Sequence, residues 1–167
     1  MPFDHGVRVE IVVRPARETD WVGCWPLLQA MGQVDAEEAV RQRFARVIGN
    51  PAEFLPVAEQ KGVLAGYAWA HQGPVHLRAG RSTVRMNDLF VTPEGRRHGV
   101  GRSLFNAVIT WATEQRADWL EWQASTAALP FYERLGYRGD PCPDPEHPFF
   151  EIALASGRRA SPSPGSA

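Results

Sequence analysis

Cysteine is nearly missing from this chain, with two residues, Cys24 and Cys142, in 167. Such a pair makes neither a disulfide framework nor a metal-ligand spacing. The five histidines, at positions 5, 71, 76, 98 and 147, do not cluster as ligands, so no metal is expected. Charge of one sign is also lacking. The balance of 18 basic against 19 acidic residues gives a net charge of −1. Bulk attraction to nucleic acid or to an anionic membrane is therefore not expected, and any basic patch must be local. No apolar run approaches the length of a transmembrane helix, and the first residues lack a signal peptide's apolar region. The expectation is a cytoplasmic protein with no nucleic-acid or membrane partner.

What is present fits an ordinary folded domain, with 44% hydrophobic and 22% charged residues. The alternation Val7, Val9, Ile11, Val13 predicts a half-buried first strand. Residues 18–31 have a helical pattern in which Pro26 should split or bend the helix. Asp35 with Glu38 three residues on resembles a capping box and opens a helix carrying Val40, Phe44, Val47 and Ile48 on one face. Phe54–Glu59 and Val63–Ala70 flank Lys61-Gly62 as an antiparallel hairpin. Residues 71–82 form a loop expected to border the site, and Val84–Val91 the central strand. A helix from about Gly101 to Arg116 buries Leu104, Phe105, Val108, Ile109 and Ala112. A strand at Trp119–Gln123, a short helix over 127–135 and a closing strand at Phe149–Leu154 complete a mixed α/β order. The expected organisation is one domain over 1–155 and a disordered tail over 156–167, whose Ser, Pro and Arg have nothing to bury.

The most informative stretch is Val91-Thr92-Pro93-Glu94-Gly95-Arg96-Arg97-His98-Gly99-Val100-Gly101. A strand, a Gly-rich basic turn and a helix start in that order make a backbone anion site. Glycine lets successive N–H groups converge, and the helix dipole adds partial positive charge. Arg96, Arg97, His98 and Arg102 add side-chain donors, so the implied ligand is a phosphate or pyrophosphate. The spacing Arg-x-x-Gly-x-Gly is neither a Walker loop nor a dinucleotide fingerprint. By itself the fragment also fits a basic surface turn.

About thirty residues further on stands Ala128-Leu129-Pro130-Phe131-Tyr132-Glu133-Arg134-Leu135-Gly136-Tyr137. With both segments in this order, the chain resembles the GNAT N-acetyltransferase superfamily over roughly residues 7–154. The resemblance implies a central, mostly antiparallel twisted sheet with splayed central strands, flanked by helices. It implies acetyl-CoA as acetyl donor and direct transfer to an amine in a ternary complex. The turn from Arg96 to Ser103, including Gly99, Val100 and Gly101, would wrap the coenzyme's pyrophosphate. The backbone of Leu89, Phe90 and Val91 would pair with the pantetheine arm, an N–H near Val91 serving the developing oxyanion. Ser125 stands where many relatives carry a pantetheine-binding Asn, and Phe131 joins the cofactor contacts. Tyr132 sits where the family places the acid that protonates the leaving thiolate.

The group that deprotonates the amine is less legible. Relatives often carry a carboxylate near Arg85 and Asn87, and neither residue can act as one. Alternation should turn Asp88 to the face opposite Asn87. Glu121 shares parity with Trp119 and Gln123, and is expected to hold or deprotonate the amine, directly or through water. His71 and His76 lie in the candidate cleft loop, and histidine is a residue type suited to act as a base. The aromatic side chains, with Tyr67 and Trp69 among them, could embrace an acceptor. The expected acceptor is a small primary amine, diamine or amino-acid-like molecule. Left open are a protein N-terminus or lysine as acceptor, a non-catalytic acyl-CoA sensor, a nucleotide-phosphate binder and a homodimer.

Overall fold

A computed structural model describes residues 10–139 of the chain. Val7 and Val9 of the expected first strand, the closing strand, the tail, Cys142 and His147 lie outside the described residues. Two compact units divide the chain, Met1–Gln123 and Ala124–Ala167.

The first unit is built on a six-stranded sheet of order β1-β3-β4-β5-β6, with the short β2 also pairing β4. The strands are β1 (Ile11–Pro15), β2 (Glu53–Phe54), β3 (Pro56–Gln60), β4 (Val63–Gln72), β5 (Thr83–Val91) and β6 (Trp119–Trp122). All pairings are antiparallel except β5 with β6, which is parallel. The helices of this unit are α1 (Trp21–Met31), α2 (Glu37–Ile48) and α3 (Val100–Glu114). This mixed α/β arrangement, a mostly antiparallel open sheet flanked by helices, is the predicted fold class.

The hairpin between β3 and β4 turns where Lys61-Gly62 predicts it. Both residues take positive φ, 53° and 77°, as the tight turn matching strand twist requires. Trp21, Cys24 and Leu27 of α1 and Phe44 of α2 pack with Val57 and Tyr67 into a buried cluster, against which Phe90 of β5 also rests. Burial pushes the Cys24 thiol up to about 12, so it is a packing residue and not a reactive thiolate. In α3, Val100, Leu104, Phe105, Val108, Trp111 and Ala112 are buried, and the Phe54 and Trp111 rings stack at 5.3 Å.

Two local expectations need correction. Pro26 neither splits α1 nor ends it, since the helix is continuous through that position. The bond Pro26 cannot donate would have gone to Val22, and both residues are exposed, so water can serve that carbonyl. Asp35 does not cap α2. Ala36 occupies the N-cap with no side-chain bond, because Asp35 stands one residue too early and instead accepts from Arg43 at 2.8 Å.

Gly66 of β4 is where the sheet is tightest. A Cβ built there would stand 2.5 Å from the Phe90 carbonyl oxygen and 3.2 Å from Leu104 Cδ1. Neither the β5 backbone nor a fully buried leucine can yield cheaply. Gly66→Ala should therefore destabilise the protein by about 1–3 kcal/mol, measured as a lowered urea midpoint with an unchanged m-value.

Candidate active site

The strand, turn and helix predicted around the glycines are all present. β5 ends at Val91 and a 3-10 turn follows over Pro93–Gly95, where Thr92 Oγ1 accepts from Gly95 N at 3.1 Å. Gly95 is buried, and a Cβ there would meet the Ala65 carbonyl oxygen at 3.2 Å. The chain then reverses through Arg97, at φ 63°, and Gly99, at φ 91°. Gly99 caps α3 without a side chain. The first helical bond is Ser103 N to Gly99 O at 2.9 Å. The amides of Val100, Gly101 and Arg102 thus have no helical acceptor and point out of the helix start, where the dipole is positive. Arg96, Arg97, His98 and Arg102 are exposed around them. Arg96 Nε also donates to the Val91 carbonyl at 3.2 Å, tying turn to strand. An anion offered to this turn meets amides at the start of a packed helix and exposed basic side chains around them.

Upstream of the turn, β5 loses a neighbour. Its parallel pairing with β6 runs from Thr83↔Trp119 to Met86↔Trp122 and stops. Its antiparallel pairing with β4 continues to Gly66↔Val91. Among the described residues, Asn87–Val91 therefore pair on one side only. That one-sided edge runs to the Pro93–Gly95 turn, which leads on to the start of α3.

Where β6 departs, the β4–β5 ladder shifts register. Trp69 stands opposite Asp88 and Ala70 opposite Met86, so Asn87 is a bulged extra residue. A bulge inserts one residue and resets which face the following side chains take. Asn87 Nδ2 lies 2.8 Å from His71 Nδ1, while Tyr67 Oη donates to Asp88 Oδ2 at 3.3 Å. Tyr67 and His71 share parity on β4, so Asn87 and Asp88 both reach the same face. The expected opposition of Asn87 and Asp88 is thus overturned, because simple alternation fails across a bulge. Burial raises the Asp88 carboxyl from its ordinary value, the Tyr67 bond opposing this in part. Burial, and then the Asp88 charge, raise the Tyr67 phenol too, so Tyr67 stays protonated and donates.

Glu121 is brought to the same face by its ladder partner Arg85. Arg85 Nη1 and Glu121 Oε1 are 3.1 Å apart, with side chains 41% and 55% exposed. In so open a position this pair contributes little to stability. His76 belongs to the loop between β4 and β5, its amide bonded to the Arg81 carbonyl at 2.6 Å. That loop lines, with Thr83 and Trp119, a cavity of about 700 Å³ at the end of β5 remote from the anion turn.

The second unit, described over residues 124–139, holds a 3-10 turn at Thr126–Ala128 and the helix α4 (Leu129–Arg134). Ser125 precedes the turn, and its carbonyl accepts from Ala128 N at 2.9 Å. Pro130 lies in the first turn of α4, where no amide is needed. The rings of Phe131 and Tyr132 meet edge-on at 4.9 Å. Tyr132 is 7% exposed, and burial pushes its phenol up to about 12.

Comparison with known proteins agrees with the geometry. The model of the acetyltransferase (GNAT) family matches residues 19–137, and the chain belongs to that family. No curated protein matches the sequence. Among solved structures, an acetyltransferase of Trypanosoma brucei is 21% identical, with a TM-score of 0.69, over 87% of this chain and all (100%) of its own. Glucosamine-6-phosphate N-acetyltransferase of Arabidopsis thaliana is 14% identical, with a TM-score of 0.72, over 87% of this chain and 99% of its own. The aminoglycoside N-acetyltransferase AAC(6′)-Iy, solved with CoA, is 18% identical, with a TM-score of 0.72, over 88% of this chain and 97% of its own. At such identities the likeness is one of fold.

Asp88 generates a prediction with a definite sign. Its pKa is raised in the folded state, so ionisation above the unfolded value of about 3.9 costs stability, and that cost grows as pH rises through the folded value. Asp88→Asn removes the cost and keeps an oxygen for Tyr67. The variant should melt higher than the parent at pH 7, with the gain vanishing on acidification to about pH 3.5. Equal melting temperatures across that range would show the carboxylate to be unperturbed.

Proposed function

We propose that this GNAT protein is an acetyl-CoA-dependent N-acetyltransferase acting on the primary amine of a small molecule in a ternary complex. The observation that carries the reading is the one-sided edge of β5, Asn87–Val91, running into the uncapped amides of Val100, Gly101 and Arg102. A pyrophosphate on those amides and a strand-like, amide-bearing arm along that edge are what coenzyme A would need. At about 3.3 Å per residue, the edge offers roughly 16 Å of backbone donors and acceptors. The far end of that edge is the bulge, where Asn87 and Asp88 stand.

Acetyl-CoA brings the thioester. The residues of this chain bind it, polarise its carbonyl and manage protons. Leu89, Phe90 and Val91 pair with the arm through their backbone, with an N–H aimed at the carbonyl oxygen as charge develops there. Ser103 completes the first turn of the cradle, and by the family's pattern Ser125 and Phe131 also serve the cofactor. The amine enters as an ammonium ion and must lose a proton before its nitrogen can attack. The C–N bond forms as the C–S bond breaks. Tyr132, its proton held firmly by burial, passes that proton to the thiolate. The nitrogen sheds a second proton on collapse, which restores the phenol, so one proton is released overall. Glu121 attracts the ammonium. Its single contact with Arg85 leaves one carboxylate oxygen for that role.

The deciding experiment is free-thiol release from acetyl-CoA against a panel of diamines, aminosugars, amino acids and peptides. Release with a small amine supports the reading. Binding of acetyl-CoA without release from any acceptor would make the protein a sensor, and selective release with peptides a protein acetyltransferase. Two substitutions test the assigned parts. Gly101→Val should weaken coenzyme A binding at least tenfold by calorimetry, since bulk at the helix start blocks approach to the amides. Tyr132→Phe should leave binding intact and lower turnover roughly 10- to 1000-fold where chemistry is rate-limiting.

A further inference from the structure

A row of ionisable side chains crosses four strands on the face that carries Asp88. The ladder partners Glu53↔His71, His71↔Arg85 and Arg85↔Glu121 set one residue from each of β2, β4, β5 and β6 in line. Most of them are committed to one another or to close neighbours. Glu53 accepts from Trp69 Nε1 at 3.0 Å and from Asn50 Nδ2 at 3.1 Å, and Arg85 pairs with Glu121. His71 bonds to none of these. Its Nδ1 is held by the amide of Asn87 at 2.8 Å, and its Nε2 makes no hydrogen bond among the described residues.

The partner is what makes this histidine distinctive. Asn87 is the bulged residue of β5, and it is the first residue beyond the pairing with β6. The His71–Asn87 pair therefore stands where the one-sided edge begins. A carboxamide at that distance can present either atom, since a half-turn exchanges oxygen and nitrogen. With Oδ1 toward the ring, Asn87 accepts from Nδ1–H, which fixes the tautomer whose Nε2 carries a free lone pair. The same bond stabilises the imidazolium once Nε2 is protonated. A neutral imidazole so held offers Nε2 as a proton acceptor, and its ladder partners Glu53 and Arg85 flank it with opposite charges.

We propose that His71 is the proton acceptor for the amine and that Asn87 is its positioning residue. The inference rests on the N-acetyltransferase reading above. His71 Nε2 takes one proton from the bound ammonium, leaving the neutral amine to attack, and the imidazolium then yields that proton to solvent. Asp88, bonded by Tyr67, and Glu121, paired with Arg85, supply negative charge that keeps the ammonium in place, and neither need accept its proton.

The test compares the parent, His71→Gln and Asn87→Asp, using the best amine of the panel and a weakly basic amine that is already neutral at pH 7. His71→Gln should lower kcat/KM for the basic amine by about 10²- to 10⁴-fold at pH 7. It should recover as pH approaches the amine's own pKa, spare the weakly basic amine and leave acetyl-CoA affinity within twofold. Asn87→Asp places a carboxylate on Nδ1–H and should move the acidic limb of the kcat/KM profile upward by about one pH unit. A histidine that merely packs would give equal losses at every pH and for both amines, and an unmoved limb in Asn87→Asp. Either result overturns the proposal. If the parent releases no thiol with any amine, the enzymatic reading itself falls, and the failure is read from the parent alone.

Discussion

The candidate site depends on a single backbone constraint, that among the described residues β5 pairs on one edge only from Asn87 to Val91, the edge bonded to β4. Backbone donors and acceptors left without partners are costly when buried and invite another strand when exposed. Here the exposed run is short and closed at both ends. The bulge ends the regular ladder on one side, and the Thr92–Gly95 turn with the Arg96 bond to Val91 ends it on the other. The strand is held rigidly from beneath, with Gly66 allowing β4 to approach its backbone and Leu104 closing the gap. An unpaired edge on a rigid strand binds an extended ligand without first paying to order itself.

Much of this was readable from residue order. The Arg-x-x-Gly-x-Gly spacing after an apolar run dictates strand, turn and helix, because glycine is needed where Gly99 takes a positive φ and because a helix start has bare amides. Lys61-Gly62 dictates a hairpin for the same kind of reason. Both are local effects, and local chemistry is written in sequence. Ladder register is not. The bulge at Asn87 depends on how Trp69 and Ala70 sit against β5, and nothing within β5 announces it beyond two adjacent polar residues in a run of strand formers. One extra residue was enough to put Asp88 on the wrong face by simple alternation. The partners of His71 and Glu121 were hidden likewise, since each is set by a strand distant in sequence. Pro26 and Asp35 misled for a smaller reason, a solvent-facing carbonyl in one case and a one-residue offset in the other.

Charge is distributed by locality and not by excess. The chain is almost neutral, yet Arg96, Arg97, His98 and Arg102 crowd one turn, and Glu53, Asp88 and Glu121 share one sheet face. An anion and a cation offered together would be sorted to opposite ends of the same strand. The proposed ternary complex asks for that sorting, because donor and acceptor must meet over β5 without competing for each other's contacts.

Tyr67 ties this chemistry to folding. Its ring is part of the cluster formed by α1, α2 and the sheet, while its hydroxyl holds Asp88. Substitutions among Trp21, Cys24, Leu27 or Phe44 that admit water to that ring would also hydrate the carboxylate and return its acidity toward that of a free aspartate. The hydrophobic packing of α1 therefore acts as a setting for the proton affinity of Asp88. Variants far from that carboxylate should be found altering the pH at which it takes up its proton before they alter whether the protein folds.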